Sequence, residues 1–328
     1  MKKTSLLEER IIYKPFEYPE AHDYWMKQQQ AHWLHTEVPM MSDVNDWKQN
    51  LNETEKNIIG SILKGFAQTE TVVNDYWSTL VTKWFRKPEV IKMAVTFAAF
   101  ETIHAEAYSL LNEELGLDDF SEFLEDEATM AKINALTTVR DSHNGEPNWH
   151  ERAKSLAIFS AFTEGVNLFS SFAVLLSFKL DNKLKGVGQI VEWSIRDESL
   201  HSDAGCWLFR TLLQEHPEFN TPELKKDIEE AAKLSLKLEL DFIDTVYEMG
   251  DLKGCPKYDL VSFIKHRVNT KMGDLGYNSI VNGIDQDAVK RMKWFDSLSG
   301  GKQHTDFFAN RVTNYSKGVQ DWDANSIF

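Results

Sequence analysis

The sequence predicts an all-α protein built on a four-helix bundle, and three observations carry that expectation. Apolar residues recur at helical spacing through four long segments, Pro88 and Pro217 fall between segments rather than inside them, and two Glu-x-x-His pairs lie mid-way along two of them. The first helix is expected from about residue 53 to 85, with Ile59, Leu63, Phe66, Val73 and Trp77 in one stripe and Glu70 among them. Pro88 suits a first helical turn and opens the second helix, which ends at Gly116. Its inner stripe holds Glu101 and His104 together with Val90, Phe97, Tyr108 and Leu111. An acidic helix around 121–140 and a loop at DSHNGEPNW follow. A third long helix is expected from about 149 to 180, carrying Glu164 among Ala157, Ala161, Leu168, Phe172 and Leu175. The fourth runs from about 187 to 216, where Glu198 and His201 share a face with Val191, Ile195 and Leu208. Helices around 222–249 and 258–272 brace the bundle, and the segment from Ser299 onward lacks periodicity. The expected organisation is therefore one helical domain over 1–298 and a flexible tail over 299–328.

Three residues turn a helix by about 300°, so the Glu and His of each pair project from one face, one turn apart. Each pair has a glutamate upstream: Glu70 precedes Glu101 by 31 residues and Glu164 precedes Glu198 by 34, the separation of antiparallel helices joined by a short turn. One Glu from each of two helices and Glu-x-x-His from each of the other two is the donor pattern of di-iron and di-manganese carboxylate bundles. A single such pair ordinarily marks a solvated face or a satisfied histidine. Two copies at matched spacing, with all four carboxylates on core stripes, do not fit that reading, because buried ionised carboxylates require compensating charge. Two divalent cations balance four carboxylates and leave two neutral imidazoles as ligands. A purely structural bundle would have no use for them.

The formal net charge of −15, without a Lys/Arg run, argues against a nucleic-acid surface. Cys206 and Cys255 make neither a disulfide framework nor a zinc motif, as suits a reducing cytoplasm. The N-terminus lacks a signal-peptide core, and the most apolar window, 165–178, is too short to span a bilayer, so a soluble cytoplasmic protein without membrane partners is expected.

The strings ETIHAEAY (101–108), FTEGVNLFSSFA (162–173), SIRDESLH (194–201) and AHWLHTEV (31–38) resemble the small, radical-generating beta subunit of class I ribonucleotide reductase. The likeness runs from about Tyr13 to the tail. It implies a ferritin-like homodimer with two metal ions per chain: two iron, two manganese, or a mixed manganese and iron pair. Activated by an oxygen-derived oxidant, that centre would store a radical or another oxidising equivalent. The equivalent would pass to a large alpha subunit, docked through the C-terminal tail, which reduces ribonucleoside diphosphates to deoxyribonucleotides. By the same resemblance Glu70, Glu101, His104, Glu164, Glu198 and His201 match the metal ligands. Tyr108 matches the radical tyrosine, Trp33 and Asp197 the transfer path from His104, and Tyr315 the relay tyrosine of the tail. Read from the sequence alone, Tyr108 is also an ordinary core tyrosine, and Asp197 an ordinary partner for the outer nitrogen of a metal-bound histidine.

One position departs from the commoner family pattern. Many members carry aspartate where this chain has Glu70, a substitution shared with branches that use manganese or mixed manganese and iron. The mixed-metal branch typically lacks the tyrosine present here as Tyr108, and a dimanganese branch carries lysine where this chain has Asn74. A ferritin-like oxidase or oxygenase acting on its own small substrate is the alternative reading. It would have no need of Trp33, Asp197 and Tyr315.

Overall fold

The computed structural model describes residues 3–117, 127–141, 148–248 and 250–299. Tyr315 and the rest of the expected tail from Gly300 lie outside the described residues, as does the start of the expected acidic helix, 121–126. The described elements are helices: α1 Pro19–Gln30, α2 Met41–Asn45, α3 Glu53–Asp75, α4 Thr82–Trp84, α5 Pro88–Leu115, α6 Glu127–Asp141, α7 Trp149–Ile158, α8 Phe169–Ser177, α9 Lys185–Glu215, α10 Pro222–Val246, α11 Lys257–Asp274, α12 Gln286–Arg291 and α13 Lys293–Leu298. Among the described residues, no helix is long and apolar enough to cross a membrane.

Local chemistry sets the ends of the central helices. Asn52 caps α3 reciprocally with Glu55, each side chain accepting from the other's backbone N–H at 2.9 Å. Pro88 occupies the first turn of α5, and Gly116 closes that helix at φ +73°, a left-handed conformation in which a Cβ would be strained. The N-terminus of α9 is capped from a distance. Asp43 of α2 accepts from the backbone N–H groups of Gly186 and Val187 at 3.0 and 2.8 Å, placing a carboxylate at the positive end of the longest helix.

Helix α3 packs along α5, while α9 packs against α8 and α7 and meets α5, which together form the bundle. Every apolar stripe residue expected on the inner faces is buried, including Phe66, Trp77, Phe97, Phe172 and Leu208. The bracing helices come as expected: α10 lies on α7 and α6, and α11 lies on α10 and α8. Two features depart from expectation. Helix α1, on α5 and α9, and the short α12 and α13 occupy stretches for which no helix was anticipated. The third bundle helix is also not continuous. A π-turn over Phe159–Thr163 ends α7, and irregular residues 164–168 precede α8. The backbone shows the slip directly, because Glu164 and Asn167 donate to carbonyls five residues back, Phe159 and Phe162, at 3.0 and 2.9 Å. Gly165 allows it: a Cβ there would lie 2.3 Å from the Ala161 carbonyl oxygen and 2.8 Å from the Lys271 side chain.

Candidate metal centre

The bundle brings Glu70 from α3, Glu101 and His104 from α5, Glu164 from the irregular segment, and Glu198 and His201 from α9 to one buried level. All six are at most 1 % exposed. Their donor atoms form two overlapping groups, each with all atoms within 4.8 Å of one another: Glu70, Glu101, His104 and Glu198 in one, and Glu101, Glu164, Glu198 and His201 in the other. Glu101 and Glu198 belong to both. This is the topology of two adjacent cation positions with two shared carboxylates, one terminal carboxylate and one imidazole apiece.

Both histidines aim the same ring nitrogen inward. His104 Nδ1 lies 2.9 Å from Glu101 and 3.1 Å from Glu198, and His201 Nδ1 lies 2.7 Å from Glu101. Their outer nitrogens are held by separate partners, as imidazole ligands require. His104 Nε2 meets Asp197 Oδ2 at 3.3 Å, and His201 Nε2 meets the Gln28 side-chain oxygen at 3.0 Å. The Gln28 amide then donates to Asp197 Oδ1 at 3.0 Å, tying the two histidine supports together. Trp77 donates its indole N–H to Glu164 at 2.5 Å. Neither support was recognised from the sequence. Trp77 is indistinguishable from a core residue of its stripe, and Gln28 sits in a polar segment, PEAHDYWMKQQQ, whose only signal is a fully buried glutamine visible after folding.

The inward-facing polar atoms fit a cation pair. Both oxygens of Glu70 and one each of Glu164 and Glu198 are buried without a hydrogen-bond partner, and the Nδ1 atoms of both histidines face only carboxylate oxygens. Such orphaned acceptors are costly unless another charge meets them. The electrostatics of the metal-free cluster say the same. Burial, reinforced by neighbouring carboxylates, pushes Glu70 and Glu164 well above the usual carboxylate range, and Glu198 up to about 8. Burial also acts upward on Glu101, but the two histidines outweigh it and lower that carboxyl to about 2. His104 is raised well above its ordinary value because Glu101, Asp197 and Glu198 outweigh its burial. Without metal, the cluster therefore holds protons where cations would stand. Oxygen and imidazole donors suit iron and manganese, whereas the absence of thiolate among the six residues gives soft metals no preference.

The surroundings place the other expected residues. Tyr108 is fully buried one turn beyond His104, its ring 4.8 Å from Phe66 and 6.3 Å from His104 by centroids. Burial raises its phenol well above the ordinary value, with the Ser194 hydroxyl acting in the opposite direction. Trp33, 2 % exposed, stacks on the His104 ring at 5.8 Å and 25° and donates its indole N–H to Asp197 Oδ2 at 2.7 Å. His104 and Trp33 thus meet at one carboxylate oxygen. Burial acts upward on Asp197, but Arg196, His104 and Trp33 outweigh it and hold the carboxyl at about 2, so it is an anion at neutral pH.

The family model described as "Ribonucleotide reductase, small chain" matches residues 10–287. A probable ribonucleoside-diphosphate reductase small subunit of invertebrate iridescent virus 6 is 35 % identical, with 95 % of each chain covered. The ribonucleoside-diphosphate reductase subunit beta of Chlamydia pneumoniae is 26 % identical over 94 % of this chain and 91 % of its own. Among solved structures, a putative class I ribonucleotide reductase from Bacillus halodurans superposes with a TM-score of 0.78 at 20 % identity, covering 85 % of this chain and 99 % of that one. The Streptococcus sanguinis dimanganese(II)-NrdF superposes with a TM-score of 0.75 at 21 % identity, covering 87 % and 98 %.

Proposed function

The chain belongs to the ribonucleotide reductase small-chain family, and from that premise we propose that Glu70, Glu101, His104, Glu164, Glu198 and His201 hold two ions of iron or manganese. The protein is the small subunit of a ribonucleoside-diphosphate reductase, an oxidoreductase that works with a large subunit. The metal pair, when bound, supplies the one-electron oxidising power. The residues around it set where an oxidising equivalent can reside and leave. Tyr108, fully buried, would lose its proton together with its electron, because burial makes a free phenolate costly.

A single observation carries the transfer role: Trp33 and His104 share the Asp197 Oδ2 atom and stack ring on ring. Asp197 orients both, and its negative charge favours the oxidised, cationic form of the indole beside it. The burial of the six cluster residues favours this reading over a self-contained oxidase, whose small substrate would have to reach the metals directly. The tail over 299–328 is the proposed docking element for the large subunit, with Tyr315 as its relay, and the working form is a proposed homodimer. These assignments rest on the resemblance and on the apolar end of DWDANSIF, which suits a groove on a partner.

The test is turnover of a ribonucleoside diphosphate by metal-loaded protein with its large subunit. Trp33→Phe keeps the ring against His104 and removes the N–H. It should retain full metal content and lose turnover by at least about 100-fold, a barrier increase of about 2.7 kcal/mol. Wild-type turnover in Trp33→Phe would remove Trp33 from the path, while absence of turnover in loaded wild type would remove the function.

A further inference from the structure

Glu164 alone among the six cluster residues stands outside regular helix. The π-turn and residues 164–168 take backbone carbonyls out of the helical ladder, and a buried carbonyl left unpaired is costly. Two of them are met by cations from other helices. Lys132 of α6 donates to the Asn167 carbonyl oxygen at 2.6 Å, and Arg267 of α11 donates through Nε to the Gly165 carbonyl oxygen. Each cation is itself fixed. Lys132 Nζ lies 2.5 Å from Glu239 of α10 and 4.2 Å from the centroid of the Phe242 ring. The other Glu239 oxygen accepts from Ser170 of α8, and Ser235 of α10 donates to the Asn167 side chain at 2.6 Å. Arg267 sits over the Phe169 ring, the first residue of α8. Helices α6, α10 and α11 thus converge on the three residues that follow Glu164.

Glu239 is fully buried, and Lys132 is only 12 % exposed in its side chain. A buried ion pair is a poor source of stability, since desolvation consumes most of the attraction. It does supply a rigid cation at a fixed place, and here that place is the carbonyl three residues beyond a cluster carboxylate. We propose that Lys132 and Arg267 are positioning residues for Glu164: they clamp the irregular segment through its carbonyls and so fix the terminal carboxylate of the His201 metal position. The clamp stands on the hydrogen bonds above; only its consequence for metal binding rests on the metal reading.

Two measurements on the full chain test it. In the metal-free protein, Lys132→Met and Arg267→Met should accelerate amide hydrogen exchange at 164–168 by tenfold or more and leave the α5 amides around Glu101 and His104 unchanged. In titrations with Mn(II) alone, the same variants should weaken one of the two equivalents by about 10- to 100-fold, the range for losing outer support of a ligand, while the other keeps its affinity. Lys132→Arg, which keeps the cation, should restore both. Unchanged exchange at 164–168, faster exchange with both equivalents unaltered, or loss of protection throughout α5 and α9 would each overturn the proposal. The last would mean that the cation stabilises the fold as a whole. If wild-type protein failed to bind a second Mn(II), the metal reading would fall, and the exchange measurement would still judge the clamp.

Discussion

Replacing Glu198 with glutamine should stabilise the metal-free protein at pH 8 while leaving its stability at pH 4 nearly unchanged. Burial and the nearby Glu101 raise the Glu198 carboxyl from 4.5 to about 8. Below 4.5 it is protonated in both the folded and unfolded chain, so it contributes no pH dependence there. Between 4.5 and 8 the unfolded chain releases the proton and the folded chain keeps it. Folding then loses about 1.4 kcal/mol per pH unit, or about 5 kcal/mol across the window as an order of magnitude. Glutamine has no proton to lose, and that part of the slope disappears. Glu70 and Glu164 are raised in the same direction, so a residual slope of the same sign persists in the variant. His104 adds to it, because stability from a raised histidine is complete below 6.5 and lost as pH climbs through the folded value. Glu101 and Asp197, both near 2, stabilise the fold fully above their unfolded values of 4.5 and 3.8 and lose that contribution as pH falls from there through about 2, so only the acid edge of this window feels them. Thermal melts of chelator-treated protein from pH 4 to 8 provide the assay. The wild-type Tm should fall with rising pH by on the order of 10 °C, and that of Glu198→Gln by clearly less. Metal loading replaces the held protons, so calorimetric Mn(II) binding at pH 7 should show proton release that depends on buffer ionisation enthalpy. Equal pH slopes in wild type and variant, or loading without proton release, would refute the charge accounting.

Three further outcomes follow from the geometry. Gln28→Leu leaves His201 Nε2 and Asp197 Oδ1 without their amide partner, and Mn(II) affinity should drop by about 10- to 100-fold; an unchanged binding isotherm would make Gln28 incidental. Gly165→Ala puts a methyl group against the Ala161 carbonyl and the Lys271 side chain, so denaturant unfolding should show a loss of roughly 1–3 kcal/mol, whereas full stability would mean that the break relaxes freely. Tyr108→Phe keeps the buried ring and removes a hydroxyl that faces Ser194, so the unfolding free energy should change by no more than the roughly 1.5 kcal/mol of one hydrogen bond while any tyrosyl signal in electron paramagnetic resonance disappears. Retention of that signal would place the radical on another residue.

Much of this protein was legible in its sequence because the relevant signals are local and periodic. Helical spacing put Glu70 beside Phe66 and Val73 and put Glu101 beside Phe97 and Tyr108, and a carboxylate on a core stripe has few uses other than meeting a cation. Two Glu-x-x-His pairs with matched upstream glutamates were therefore enough to expect both the bundle and the six-residue cluster. The sharing of Glu101 and Glu198 between two groups, the meeting of Trp33 and His104 at one Asp197 oxygen, and the tie through Gln28 emerged only after folding. Each of these meetings joins residues between 93 and 173 positions apart, for which a single sequence carries no spacing rule. The broken helix at Glu164 was hidden for the same reason. Its stripe, Ala157, Ala161, Leu168 and Phe172, reads as continuous helix, but the cations that satisfy its displaced carbonyls come from α6 and α11, 35 and 102 residues away. Periodicity reports which face is buried. Which distant side chain will pay the hydrogen-bonding cost of leaving the helix is decided by tertiary packing alone.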